Sequence, residues 1–454
     1  MRCSLLARLA LIVTGLVAVK PAVAAPDAPK VIGKLAAVET FALPNGLQVA
    51  VLPDDVAPVV SVQVWYHAGS KDEPRDRRGE AHMFERMMFK GTVHVRPDAH
   101  AQSISEIGGH GNARIDEDAS YFVDTLPAAF LDYAIHLEAE RMRNLLLRPA
   151  MIDAVREVVR DELRQQDASA FARGILSCLA VAYLKHPYAW TAAGNLKDLD
   201  AISADDLRKF YDTYYQPGNA MLVVVGKVTT ADVKASAERW FGAIPKASDP
   251  PRPAAAAQEP AQTTRRREVA EPGPVGMTLV GWHLPPAKDP DIHALQVAAM
   301  VLGASEGSRL KQRLKTADPK TKQVLAFEAG MDMLVREDPG FAVAFGAYRD
   351  PAQADAVLAA ILDEIGKLAT RGPTADELRR AKNQAQSGFV FSLDNVQGLG
   401  EIIGRSWIFT GNPGAFMREV DEVEKVSIAD IQRVVKQYLS ADRTTVVVVP
   451  QRVR

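Results

Sequence analysis

A chain of 454 residues predicts more than one packed unit, which excludes a single small binding module. Hydrophobic residues make up 47% and charged residues 24%, the profile of a folded protein, so a disordered or fibrous chain is excluded as well. Lys and Arg number 54 against 56 Asp and Glu, a formal charge of −2, which leaves no basic excess to hold a phosphate backbone, and no nucleic acid is expected as a partner.

The chain opens with Arg2 and Arg8, an apolar run over 9–19, and the small residues Ala22, Val23, Ala24 and Ala25 before Pro26. This is the pattern of a signal peptide, placed at 1–25. The run falls short of the ~20 residues that a spanning helix needs, so no membrane span is expected in the mature chain. Loss of Arg2, Arg8 and Lys20 with the signal takes the charge from −2 to −5. Cys3 leaves too, and Cys178 alone cannot form an internal disulfide, so a large core must hold the fold.

The mature part begins with FALPNGLQVAVLP, where Asn45-Gly46 predicts a hairpin turn between two strands, followed by a strand over 59–67. Apolar periodicity predicts helices over 79–89, 100–108, 128–147, 150–167 and 204–215. Residues 246–261 (KASDPPRPAAAAQEPA) cannot supply a core and read as a semi-stiff linker, extended to 246–272. Beyond it come strands near 275–282, 324–333 and 340–347, a helix over 292–302, and helices from 352 onward.

The two halves are related. Ile202, Ser203, Asp206, Leu207, Phe210 and Tyr214 fall on Val426, Ser427, Asp430, Ile431, Val434 and Tyr438 at a constant offset of 224, and the strand MLVVV at 221–225 falls on TVVVV at 445–449. Each copy offers Ser as a helix N-cap with Asp three places on, an acidic form of the capping box. The expected architecture is two homologous α+β domains, 37–245 and 273–452, each a sheet covered by helices.

One stretch carries chemistry. In GEAHMFERMMFKGT, His82 and Arg86 lie four apart, so on a helix both side chains share a face, with Glu85 beside them. A histidine at 86 would complete H-x-x-E-H, in which two imidazoles hold zinc and the glutamate deprotonates its water. Arginine stands there instead.

Together with LPNGLQVAVLPD, GGHGNARIDEDASYFVD, HPYAWTAAGNLKDLDAIS, FYDTYYQPGNAMLVVVGKV and GSRLKQRL, found in that order, this stretch makes the chain resemble the pitrilysin/insulinase (M16) family of metallopeptidases, in its short two-domain bacterial branch. The resemblance implies an insulinase-like metalloenzyme fold with mainly antiparallel sheets, periplasmic localisation, and zinc as cofactor. It places Glu85 at the general-base position, His82 and Glu162 at metal-ligand positions, and Arg86 where the second ligand histidine belongs. Val155 stands where the family has a supporting acid. Asn112 and Ala113 match the edge strand on which the family pairs an extended peptide. His94, His100 and His110 lack helical spacing to His82 and read as surface or loop histidines. The family's substrate-gripping arginine and tyrosine have no clear match: Tyr348 and Arg349 stand in reversed order, and Arg309 reads as helix N-terminal structure.

A guanidinium has no lone pair to offer a cation and stays protonated across physiological pH. Arg86 therefore leaves two protein ligands where catalytic zinc normally has three, and adds a positive charge. The expectation is that Arg86 replaces the metal, pairing with Glu162 and Glu85, so that zinc binding in this chain is impaired. Three functions stay open at this point. The first is the non-catalytic partner of a peptidase pair, enclosing extended peptides with a homologous subunit whose H-x-x-E-H is intact, or with a second copy. The others are an active zinc endopeptidase, and a non-enzymatic peptide-binding or scaffold protein.

Overall fold

The computed structural model describes residues 37–451 apart from 168, 253–257, 318–321 and 441. The expected signal peptide lies outside them. Eleven strands make two sheets among the described residues. The first runs β1-β2-β6-β3-β5-β4, from β1 (Glu39–Ala42), β2 (Gln48–Pro53), β3 (Val59–Tyr66), β4 (His110–Ile115), β5 (Ser120–Pro127) and β6 (Ala220–Gly226). Only β2 and β6 pair parallel in it. The β1–β2 turn falls at Asn45-Gly46, where Gly46 takes φ +94° and the Asn45 amide donates to Phe241 O and Ile244 O at 2.8 and 2.9 Å.

The second sheet runs β7-β11-β8-β10-β9, from β7 (Arg265–Pro272), β8 (Gly276–His283), β9 (Glu328–Leu334), β10 (Phe341–Tyr348) and β11 (Thr444–Gln451). Only β7 and β11 pair parallel. With β1 set aside, the two strand orders are the same, and β6 and β11 begin 224 residues apart. Ser203 and Ser427 each cap a helix in a full capping box with Asp206 and Asp430.

Each sheet buries one face on helices of its own half. On the first these include Glu80–Met87, Leu131–Arg143, Pro149–Asp167 and Ala204–Tyr214, packed around Val49, Val60, Val62, Val64 and Phe122. The other faces are covered by exchange. Helix Ala170–Ala182 sets Ile175, Cys178 and Leu179 against Leu279, Phe341, Val343 and Val446 of the second sheet. Helix Val396–Thr410 returns from the second half to cover Trp65, Tyr121 and Val223 of the first with Leu399 and Ile403. A Cβ on Gly404 would fall 2.1 Å from the Trp65 indole, so only glycine lets this helix approach so closely. The halves also share charges: Arg336 pairs with Glu117, Glu337 with Lys71 and with His67 at 2.6 Å, and Asp338 with His186 at 3.3 Å.

Some expectations shift. Residues 265–272, assigned to the linker, form β7, because β11 supplies the parallel backbone pairing that the local sequence does not announce, and the charged side chains suit its place at the sheet edge. The linker before β7 is fastened, with the Arg252 guanidinium donating to His67 O at 2.6 Å and Glu259 accepting from the N–H groups of residues 184–186. The helix expected over 128–147 starts with a 3₁₀ turn, Ala128–Phe130, and ends at Arg143. Helices Ala170–Ala182 and Thr230–Phe241 had no predicted counterpart. No helix among the described residues is long and apolar enough to cross a membrane.

Candidate functional site

The motif helix Glu80–Met87 starts at Gly79, whose φ of +110° bars a side chain. Its first N–H groups are satisfied by the buried Glu73 carboxylate, which accepts from Gly79 N at 3.0 Å and Ala81 N at 2.9 Å. Burial pushes the Glu73 carboxyl well up in spite of those two bonds. Gly194 (φ +76°) packs directly against Gly79: a Cβ on it would fall 2.6 Å from Gly79 Cα. This close approach delivers the Ala193 carbonyl to His82 Nδ1 at 3.2 Å and orients the imidazole.

The long helix Pro149–Asp167 crosses the motif helix and presents Glu162 to it. One Glu162 oxygen lies 3.1 Å from His82 Nε2, and the other accepts from Arg86 Nη2 at 2.6 Å. The expected pairing of Arg86 with Glu162 is thus present, whereas Glu85 stands 3.8 Å from Arg86, an ion pair without a hydrogen bond. Burial raises the Glu85 carboxyl, against the nearby His82 and Arg86. For Glu162 burial also raises, but hydrogen bonds from His82 and Arg86 outweigh it and hold the carboxyl below its usual value.

A group held down in this way stabilises the fold above the unfolded carboxylate value and loses that contribution as pH falls through its own. Glu162→Gln should therefore cost stability at neutral pH, with the gap to the parent protein narrowing below about pH 4.5, as thermal melts across pH would show. A constant gap would mean that the ionised pair contributes nothing.

These residues do not fit catalytic zinc. His82 and Glu162 could share a cation, but the third position holds a guanidinium nitrogen already bonded to Glu162. Val155 is a buried core residue 1% exposed, so no carboxylate supports the site from there. Among the described residues one trio of donors could gather around an ion, His100, Asp124 and Glu138, and it is a different place. There Arg141 stands beside both carboxylates, with Nε 2.7 Å from Glu138 and Nη2 3.8 Å from Asp124, a fixed positive charge already paired with them. His100, expected at the surface or in a loop, is buried on a helix and bonded to Asp124 at 2.9 Å, because its partner arrives from a strand 24 residues on. His94 and His110 are exposed, bonded to Glu140 and Gln397.

Asn112 and Ala113 lie on β4, the open edge of the first sheet, beside the motif helix. Tyr348 is buried in β10 against Thr278, and Arg349 lies over the Phe327 ring. Arg309 begins helix Arg309–Lys315 and grips Glu377 with two nitrogens, a structural role as expected. The exchanged helix Val396–Thr410 brings Gln397, Glu401 and Arg405 to β4, and sequence reasoning gave no sign of it.

Two related sheets with a motif helix of this kind define the class of two-domain, insulinase-type α+β proteins. The model described as insulinase, peptidase family M16, matches residues 48–188, and the one described as the peptidase M16 inactive domain matches 201–385. The chain belongs to the M16 family. It is 28% identical to the zinc protease PqqE of Helicobacter pylori, over 90% of this chain and 92% of that one. It is also 28% identical to a probable mitochondrial-processing peptidase subunit beta of Arabidopsis thaliana, over 87% of this chain and 75% of that one. The crystal structure of a protease from Helicobacter pylori superposes with a TM-score of 0.85 at 26% identity, covering 91% of this chain and 99% of that one.

Proposed function

We propose that this chain is the non-catalytic member of a peptidase pair, exported to the periplasm, where it encloses extended peptides together with a homologous M16 subunit that carries an intact H-x-x-E-H. The observation that carries this reading is the Arg86–Glu162 bond at 2.6 Å, which fills with a fixed cation the place of a metal ligand. Glu85 then has no metal-bound water to deprotonate. The open edge of β4, with Asn112 and Ala113, supports peptide pairing. A relative whose name makes it a subunit supports assembly with a partner. The matching strand orders support two homologous domains, the second starting at β7.

Metal analysis of the purified protein tests the reading. Zinc should be far below one equivalent, and Arg86→His should raise zinc affinity, though incompletely because Val155 gives no acidic support. Zinc near one equivalent in the parent protein, removable by chelator together with peptidase activity, would establish an active endopeptidase instead. Co-purification with an H-x-x-E-H homologue tests the pairing: a chain that stays monomeric beside one would refute it.

A further inference from the structure

The exchanged helix Val396–Thr410 covers the first sheet with one stripe and turns another toward the open edge. Gln397, Glu401 and Arg405 lie one turn apart on that second stripe. Gln397 meets His110 at 3.3 Å, Glu401 meets Arg114 at 3.8 Å, and Arg405 meets Asp116 at 3.3 Å. Ala113 and Ile115, the alternate residues of β4, point into the core instead. The helix therefore stands on the side of the edge strand opposite the core, and the second half of the chain lines a surface belonging to the first.

These charges are partly exposed. The side chains of Arg114, Glu401 and Arg405 are 36%, 25% and 37% exposed; the Arg114–Glu401 pair at 3.8 Å has no hydrogen bond, while Gln397 donates to Glu401 at 3.0 Å and Arg405 donates to Asp116 at 3.3 Å. Pairs of this kind contribute little and can exchange partners with an incoming charge. Spacing favours such an exchange. Four residues of helix rise about 6 Å, and two residues of strand rise about 6.7 Å, so side chains facing this helix from an added strand would repeat at nearly the interval from Glu401 to Arg405. That strand would lie about 4.8 Å beyond β4, within reach of both long side chains.

We propose that helix Val396–Thr410 reads every second side chain of a peptide paired on β4, with Glu401 selecting a basic residue and Arg405 an acidic residue two positions away. The ligand class is an extended peptide with opposite charges at i and i+2. This rests on the peptide-holding reading above, since it needs a strand on β4.

Fluorescence anisotropy with labelled ten-residue synthetic peptides tests it on the full chain. One set carries a Lys-x-Glu or Glu-x-Lys pair, and a matched set carries Ser at both positions. The charged peptides should bind about fivefold more tightly than the Ser peptides. Glu401→Gln should remove the part of the difference contributed by Lys and keep the part contributed by Glu, and Glu401→Lys should reverse the preference at the position occupied by Lys, with unchanged melting curves. Binding that is equal for charged and Ser peptides, or a preference untouched in both Glu401 variants, would overturn the proposal while leaving peptide pairing intact. If no peptide binds the parent protein, the peptide-holding reading fails and the proposal falls with it. Ala113→Pro, which disturbs the edge itself, should weaken all peptides alike.

Discussion

Arg141→Met should destabilise the protein by about 3–5 kcal/mol, the range for removing one partner of a buried ion pair. Arg141 is fully buried, donates through Nε to Glu138 at 2.7 Å and through Nη2 to the other Glu138 oxygen, and stacks over Phe122 with its guanidinium carbon 4.7 Å from the ring centre. Asp124 and Glu138 are both 0% exposed at the side chain, so loss of the arginine leaves two carboxylates facing each other in the core with His100 alone to compensate. Burial already raises the Glu138 carboxyl, and without Arg141 only the more weakly acting His100 opposes that rise. Urea unfolding should show the midpoint fall with little change in slope. Adding Glu138→Leu to Arg141→Met should recover much of the loss, because apolar replacement of a whole buried pair is often neutral. A single variant within about 1 kcal/mol of the parent would show that the core hydrates or rearranges around the charges.

Local pattern and long-range packing account for which of these features the sequence reveals. The repeat is visible because Ser203 and Ser427 each start a capped helix leading without insertion into an apolar strand, and capping and strand alternation are local signals. Glu162 is singled out by the family resemblance and not by any local pattern, and the structure sets it on the long helix Pro149–Asp167, bonded to Arg86 at 2.6 Å. The burial of His100 has no local sign, since Asp124 reaches it from a strand 24 residues on, with Arg141 of a later helix beside Asp124. β7 hides for a related reason: RRREVAEP has few apolar residues, and only the neighbouring β11 makes it a strand. In the helix Ala170–Ala182 the stretch ILSCLAVA is apolar on nearly every side, so its pattern shows that it is covered without showing that the second sheet covers it.

That exchange of helices leads to a prediction larger still. Expressed alone, residues 37–245 should not reach a native fold. The fragment lacks Val396–Thr410, which leaves Trp65, Tyr121, Met221, Val223 and Val225 on an uncovered sheet face, all of them at most 3% exposed in the whole chain. At about 1.5–3 kcal/mol for each large apolar side chain, this exposure removes on the order of 10 kcal/mol, comparable to the entire stability of a domain. The Trp65 and Tyr121 rings, stacked with centroids 3.9 Å apart, would face water together. The fragment also keeps Ala170–Ala182, whose apolar residues have lost the second sheet. Near-UV circular dichroism should show no fixed aromatic signal for the fragment, and co-expression with residues 258–454 should restore it. Gly404→Leu in the full chain is the subtler version. Its side chain would have to displace the Trp65 indole and lift the helix from the sheet, so tryptophan fluorescence should shift to the red and the melting temperature should fall, although every charge in the protein is unchanged. A 37–245 fragment that unfolds cooperatively, with a native aromatic spectrum of its own, would mean that the second half covers the first sheet without being needed to form it.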